Sequence, residues 1–412
     1  MELASSGAHL TYCTNIHPGE RWDEVRANLQ RYALEVKRIC APDASFGLGL
    51  RLSAHAVQSL RQPDAREDLL AFLQANDLYV FTINGFPYGE FHQTRVKEQV
   101  YRPDWRDPRR LVYSNGLAEV LASLLPAGEL QGSISTVPGG FKPEIRSEDD
   151  VHAMVEHLLS HAAELHRIHA STGRVLSLAL EPEPCCFLET IEETCGFFDQ
   201  HLFSDAAVKR FAVATGLSST EAASALRRHL GVCLDACHAA VEFEDARGCI
   251  ESLRRHEIDI KKLQLSAGLR VPDPQAIPTP VFERLADDVY LHQVVERSDT
   301  GLLRRYVDLP EALESLRAGR SAGGEWRIHF HVPIFLDALD PFESTQGFLR
   351  ELLALQRTLG LSRHLEVETY TWDLLPDAWR QTDVVDAVAR ELDWAKSRLT
   401  EPRSKGPQVP GI

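Results

Sequence analysis

The sequence predicts an α/β chain closed into a (β/α)8 barrel, and three observations carry that expectation. Short β-type runs alternate with longer helical patterns along most of the 412 residues. The runs are apolar on both faces, as strands covered by helices on one side and a core on the other must be. No G-x-G-x-x-G follows the first run and no G-x-x-x-x-G-K-[ST] occurs anywhere, which weakens the open nucleotide-binding folds. Eight or so repeats over this length favour closure into a barrel.

The elements follow in order. "HLTYCTN" (residues 9–15) precedes a helical stretch around 20–39, and "FGLGLRLS" (46–53) precedes a helix through "DLLAFLQAND". "LYVFTINGF" (78–86) comes next, then the helix "GLAEVLASLL" and the run "LQGSISTVPGG" (130–140). The pattern continues with "RVLSLALEPEP" (174–184), "GVCLDACH" (231–238), "KKLQLSAG" (261–268), "WRIHFHVPIF" (326–335) and "HLEVETYTW" (364–372). That makes nine strand candidates for eight places, so 326–335 or 130–136 is the extra one. Residues about 269–325 are too many for a simple connection and are expected to form a helical insertion near the barrel mouth. One barrel over residues 1–400 and a loose Pro/Gly-rich tail over 401–412 complete the expected organisation.

Composition narrows the function classes. The chain has 60 acidic against 44 basic residues, a net charge of −16 spread along its length, which argues against nucleic-acid binding. Eight cysteines form no C-x-x-C pair or regular framework, so reduced thiols and a cytoplasmic location are expected. No apolar stretch approaches the roughly 18 residues of a membrane span, and the N-terminus lacks the basic and apolar regions of a signal peptide.

In a barrel the chemistry sits at the C-terminal ends of the strands. Those ends deliver Glu181 and Glu183, Asp235 and His238, Gln264 and Ser266, His329 and His331, and finally Glu366 and Glu368. Carboxylates and imidazoles converging from separate strands are what a divalent cation needs, Zn²⁺ favouring nitrogen with oxygen and Mn²⁺ or Mg²⁺ favouring carboxylates. Each residue alone has a plainer role: Asp235 is an ordinary helix N-cap, and Cys233 and Cys237 are small packing residues. Agreement across four strand ends outweighs these single readings.

Two motifs carry a wider resemblance. "LALEPEP" resembles the glutamate strand of xylose isomerases, and "CLDACH" resembles the Asp-x-x-His strand of endonuclease IV and the sugar epimerases. With the final-strand glutamate they describe the xylose-isomerase-like TIM barrel. The resemblance implies metal binding by Glu181, Asp235 and Glu368, with His238 at the His of the motif. Where relatives place a further metal-binding His, this chain has Gln264, so Gln264 and His331 are both candidates for the fourth ligand. Over its whole length the chain also resembles the metabolite traffic protein EboE family, through stretches such as "TINGFPYGEFH", "EPEPCCFLE", "VCLDACHAAVEFE", "WRIHFHVPIF" and "LEVETYTWDLLP". That resemblance implies a bacterial secondary-metabolite pathway, with other proteins of one operon as partners, and supplies no substrate.

The leading expectation is a metal-dependent isomerase or epimerase acting on a polyhydroxylated small molecule, a sugar or cyclitol derivative. Glu181 and Glu368 would exchange protons as base and acid, His238 would meet a substrate oxygen, and Asp235 would be a ligand only. His17, Asn84, Phe86, Tyr88, His92, Lys142 and Arg270 are expected along the rim, His292 on a helix over the mouth, and His329 beside the substrate. Two alternatives stand beside it. One is a multinuclear hydrolase or lyase of the endonuclease IV-like branch, with His329 and His331 as extra ligands. The other is a non-catalytic protein that binds a metabolite and hands it over.

Overall fold

The computed structural model describes residues 1–4, 6–90, 96–286, 289–321, 323–376, 379–380 and 382–400; His92 and the tail at 401–412 lie outside the described residues. Eight parallel strands form the barrel: β1 (Ala8–Tyr12), β2 (Phe46–Arg51), β3 (Leu78–Asn84), β4 (Gln131–Thr136), β5 (Val175–Leu180), β6 (Leu230–Asp235), β7 (Ile260–Leu265) and β8 (His364–Val367). Each pairs with its neighbour in sequence, β8 returns to β1 with His364 opposite His9, and a Cys13–Gly49 bridge joins β1 to β2. The ring is closed. Of the nine strand candidates, residues 131–136 are a barrel strand and the run at 326 is the extra one.

Helices cover the outside, as the two-faced apolar strands require. Leu10, Leu48, Leu50, Val80, Ile134, Leu176, Leu178, Val232, Leu263 and Leu365 are all fully buried. The covering helices include Pro108–Leu124, Glu148–Thr172, Ser219–His229, Gln346–Leu359 and Val384–Thr400. Glu148–Thr172 begins in a capping box, with Ser147 accepting from the Asp150 amide, and ends on left-handed Gly173.

Barrel interiors are ordinarily filled with branched apolar side chains. Here the filling is polar. Thr82 Oγ1 meets Ser133 Oγ at 2.8 Å, His364 Nδ1 meets the same hydroxyl at 2.8 Å, and Lys262 Nζ lies 2.6 Å from Glu366 Oε1, with both of that last pair fully buried. Burial works against the Lys262 charge, but Glu366 holds the ammonium above the ordinary lysine range. Gly49 makes room for this pair: a Cβ there would fall 1.7 Å from Glu366 Oε2 and 2.9 Å from the Tyr12 carbonyl.

Between β7 and β8 the chain builds a second sheet. Six short antiparallel strands (Leu269–Val271, Val294–Arg297, Leu303–Tyr306, Glu325–Ile328, Ala338–Leu339 and Phe342–Ser344) form it, and the helices Thr279–Glu283 and Leu309–Arg317 lie between them. The expected helical insertion thus contains helices, but its frame is β and it reaches on to about residue 344. The correction has a physical cause: strands of two to four residues, such as "LRV", "VVER" and "EWRI", are too short to show a period in sequence.

Candidate metal centre

Closing the barrel brings the strand ends together. Glu181 follows β5 directly, Asp235 is the last residue of β6, Gln264 lies near the end of β7, and Glu368 comes just after β8. One carboxylate oxygen from each of Glu181, Asp235 and Glu368 lies within 4.8 Å of the others. All three residues are at least nine-tenths buried.

Their remaining contacts aim them. Asp235 Oδ1 accepts from the His238 amide (2.9 Å) and the Ser266 hydroxyl (2.7 Å). Asp235 is therefore an N-cap and a site residue at once, because its Oδ2 is left without a partner among the described residues. Glu368 Oε1 accepts from Asn15 Nδ2 (2.6 Å) and Asn84 Nδ2 (3.0 Å). Glu181 Oε2 and both amide atoms of Gln264 are likewise buried and unpartnered. Burial, reinforced by Glu368 and Asp235, pushes the Glu181 carboxyl far above its usual range; burial, reinforced by Asp235 and Glu366, lifts Glu368 to about 8. Three crowded carboxyls, with bare oxygens on Glu181 and Asp235, suit a cation, which would lower both.

Beside the carboxylates stand three imidazoles. His238 Nδ1 donates to the Pro182 carbonyl (3.1 Å), His331 Nδ1 to the Glu368 carbonyl (2.9 Å), and His329 Nδ1 to Gln293 Oε1 (2.8 Å). Each acceptor is a carbonyl, so each Nδ1 carries the proton and each Nε2 presents a lone pair. The Nε2 atoms of His329 and His331 face one another at 3.2 Å. Burial holds His329 far below the usual imidazole range and His331 at about 4, so neither supplies a bridging proton at neutral pH. Second-partner hydrogen bonds of this kind orient metal-binding histidines. Nitrogens of His238 and His331 group with Asp235 in the same distance range, and those of His329 and His331 with Cys237 Sγ, a residue read from sequence as packing.

The site opens into a chamber of about 60 Å³ lined by Asn15, Asn84, Phe86, Lys97, Tyr101, Glu181, Glu183, Tyr290, Gln293, Tyr370 and others. Of the residues singled out in the sequence, Asn84, Phe86, His238 and His329 line this chamber. Other rim candidates stand elsewhere. His17 bonds the Tyr12 hydroxyl (3.1 Å) and stacks on Tyr32, while Lys142 is paired with Glu189 (2.5 Å) and Glu193 (2.6 Å). Arg270 lies in the second sheet, bound to Glu343 (2.5 Å) and Glu325 (2.8 Å), and Tyr88 packs on Tyr113. His292 sits in the loop before Val294–Arg297, not on a helix, and its Nδ1 meets the His329 carbonyl at 3.2 Å. These side chains find nearby partners of opposite charge or matching shape, which spacing alone does not show.

No protein-family model matches the chain, and no curated protein sequence matches it. Similar solved structures include three that span most of both chains. One is the probable 3-DHS dehydratase AsbF of Bacillus anthracis (13% identity over 93% of this chain and 97% of that one, TM-score 0.44). Another is the D-psicose 3-epimerase of Clostridium cellulolyticum H10 (13%, 95% and 99%, TM-score 0.43). A third is a xylose isomerase domain protein from Planctomyces limnophilus (13%, 90% and 93%, TM-score 0.42). The barrel itself stands on the strand order and closure given above.

Proposed function

We propose that the chain is a metal-dependent isomerase or epimerase acting on a polyhydroxylated small molecule, a sugar or cyclitol derivative. One observation carries this reading: three buried carboxylates from three strand ends bring oxygens within 4.8 Å of one another, and Glu181 Oε2 and Asp235 Oδ2 are unpartnered among the described residues, beside a chamber that Glu181 and Glu368 line. Glu181, Asp235 and Glu368 would hold the cation, with the Gln264 carbonyl oxygen as the fourth ligand, since it too is buried without a partner. A bound divalent ion supplies Lewis acidity toward adjacent substrate oxygens.

The chain's own residues do the rest. Asn15 and Asn84 fix the plane of the Glu368 carboxylate by donating to one oxygen, which leaves the other for the site. Glu181 and Glu368 serve as base and acid across the substrate carbon, the proton passing to one carboxylate and returning from the other. His238, with Nδ1 committed to Pro182, offers Nε2 as an acceptor for a substrate hydroxyl. Among the described residues no helix is long and apolar enough to cross a membrane, and all eight cysteines are unbonded to one another. Those thiols support a cytoplasmic setting, and the likeness to the EboE family supports a place in secondary-metabolite traffic beside other proteins of its operon.

A second reading rests on the imidazoles. The lone pairs of His238 and His331 beside Asp235, with His329 next to His331, would suit a further cation, and two neighbouring ions would favour hydrolysis or elimination at a small phosphoester. Metal content of the purified protein separates the two. One equivalent of Zn²⁺, Mn²⁺ or Mg²⁺ per chain, lost in Asp235→Asn, supports the isomerase; two equivalents support the hydrolase; none overturns both. Glu368→Gln is expected to abolish turnover while the barrel stays folded, and undiminished turnover would remove its proton-transfer role.

A further inference from the structure

Glu183 stands two residues past Glu181 and has no part in the proton transfers above. It is buried and lines the chamber. Its Oε1 accepts from the Tyr101 hydroxyl (3.0 Å) and from Gln293 Nε2 (3.1 Å), both neutral donors. Among the described residues no Lys or Arg lies within ion-pairing distance of it. The nearest basic atom is His329 Nδ1 at 3.7 Å, and that nitrogen gives its proton to Gln293. The chamber's own ammonium, Lys97, is bound to Asp308 at 2.7 Å.

A carboxylate removed from water costs several kcal/mol unless a cation meets it. The walls beside this one are aromatic. Phe86 and Tyr101 meet edge to face at 6.2 Å between ring centres, Tyr290 and Tyr370 at 5.2 Å, and all four rings line the chamber. A carboxylate framed by aromatic rings recognises an ammonium group, which donates a charge-assisted hydrogen bond to the carboxylate and is attracted by the ring quadrupoles.

We propose that the substrate carries a protonated amine, as in an amino sugar or aminocyclitol, and that Glu183 and its aromatic frame bind that ammonium while the hydroxylated part faces Glu181, Asp235 and Glu368. The hydroxyl half rests on the function proposed above; the amine half rests on Glu183.

The test titrates Mn²⁺-supplemented protein at pH 7 with D-glucosamine, with D-glucose, which puts a neutral hydroxyl of similar size in place of the ammonium, and with N-acetyl-D-glucosamine, which keeps the nitrogen but removes its charge. Glucosamine is expected to bind at least tenfold tighter than either neutral sugar. In Glu183→Gln that preference should fall to within twofold, with Mn²⁺ affinity unchanged and the melting temperature no lower than that of wild type. Phe86→Leu, which alters no charge, should lower the preference severalfold and keeps the test open if the glutamine variant misfolds. Absent binding of glucosamine, equal binding of the three sugars, or a preference that survives Glu183→Gln overturns the proposal. Mn²⁺ binding without sugar is measured separately, so failure of the carboxylate centre is distinguishable from failure of the amine site.

Discussion

Replacing Lys262 with methionine strands a carboxylate inside the barrel. Lys262 Nζ and Glu366 Oε1 are 2.6 Å apart and neither side chain reaches solvent. At an effective dielectric of about 20 their attraction is about 6 kcal/mol. Desolvating the two ions consumes most of that gain, so the intact pair is close to neutral for stability. Removing one partner keeps the desolvation and loses the attraction, which costs about 3–5 kcal/mol. For 412 residues, an unfolding entropy near 2.1 cal/mol/K per residue makes about 4 kcal/mol a fall of about 4–5 °C in melting temperature. Calorimetric melts of wild type, Lys262→Met, Glu366→Met and the double variant measure it. Each single change is expected to lower the melting temperature by about that amount, and the double change to recover most of the loss. A silent Lys262→Met, or a double variant as weak as the sum of the singles, would refute the assignment of a tightly coupled buried pair.

Three further perturbations probe the barrel interior and its centre. Gly49→Ala drives a methyl group into Glu366 and the Tyr12 carbonyl, so soluble yield and melting temperature should fall sharply; a normal melt would show that β1 and β2 separate more easily than their bridge suggests. Glu391, buried and accepting from Thr369 Oγ1 and the Ile334 amide, is raised by burial to about 7, so it favours the fold when protonated. That contribution, about 3 kcal/mol, is present below pH about 4.5 and fades as pH rises to about 7, and Glu391→Gln should gain relative to wild type between pH 5 and pH 8 in paired melts. Chelator treatment should lower the melting temperature, and Mn²⁺ or Zn²⁺ at about 100 times its Kd should restore about 2.7 kcal/mol in wild type but not in Asp235→Asn.

The parts of this fold that are legible in sequence are those set by local pattern. The barrel strands announce themselves as apolar runs, and Glu181, Asp235 and Glu368 as polar residues that end them. Period-two alternation would put Glu366, Glu368 and Tyr370 on one strand face, but the strand ends at Val367, and the pattern cannot say that Glu366 meets Lys262 while Glu368 and Tyr370 line the chamber. Lys262 has no distinguishing mark within "KKLQLS" because inward and outward acquire meaning only when the ring closes. Asn15, Tyr101 and Gln293 come from connections whose positions depend on contacts over 100 residues or more: Asn15 meets Glu368, and Tyr101 and Gln293 meet each other. A signal for Asn15 exists in the polar end of "HLTYCTN", which is another strand end on the same rim. The second sheet is hidden for a different reason, since its pairing joins residue 270 to both 327 and 343.

The division of the centre between two sheets has a consequence for how the molecule breathes. The carboxylates belong to the barrel, whereas His329 and His331 follow directly on Glu325–Ile328 of the inserted sheet, and among the described residues no strand of one sheet pairs with a strand of the other. An ion shared between Asp235 and His331 would act as a rivet between two ladders that share no strand pairing, added to the His331–Glu368 hydrogen bond already there. Its arrival would be felt in amides far from any ligand atom, as slowed exchange across the strands that carry Val294–Arg297 and Glu325–Ile328. The inserted sheet would then report on the occupancy of a centre to which it contributes only imidazoles.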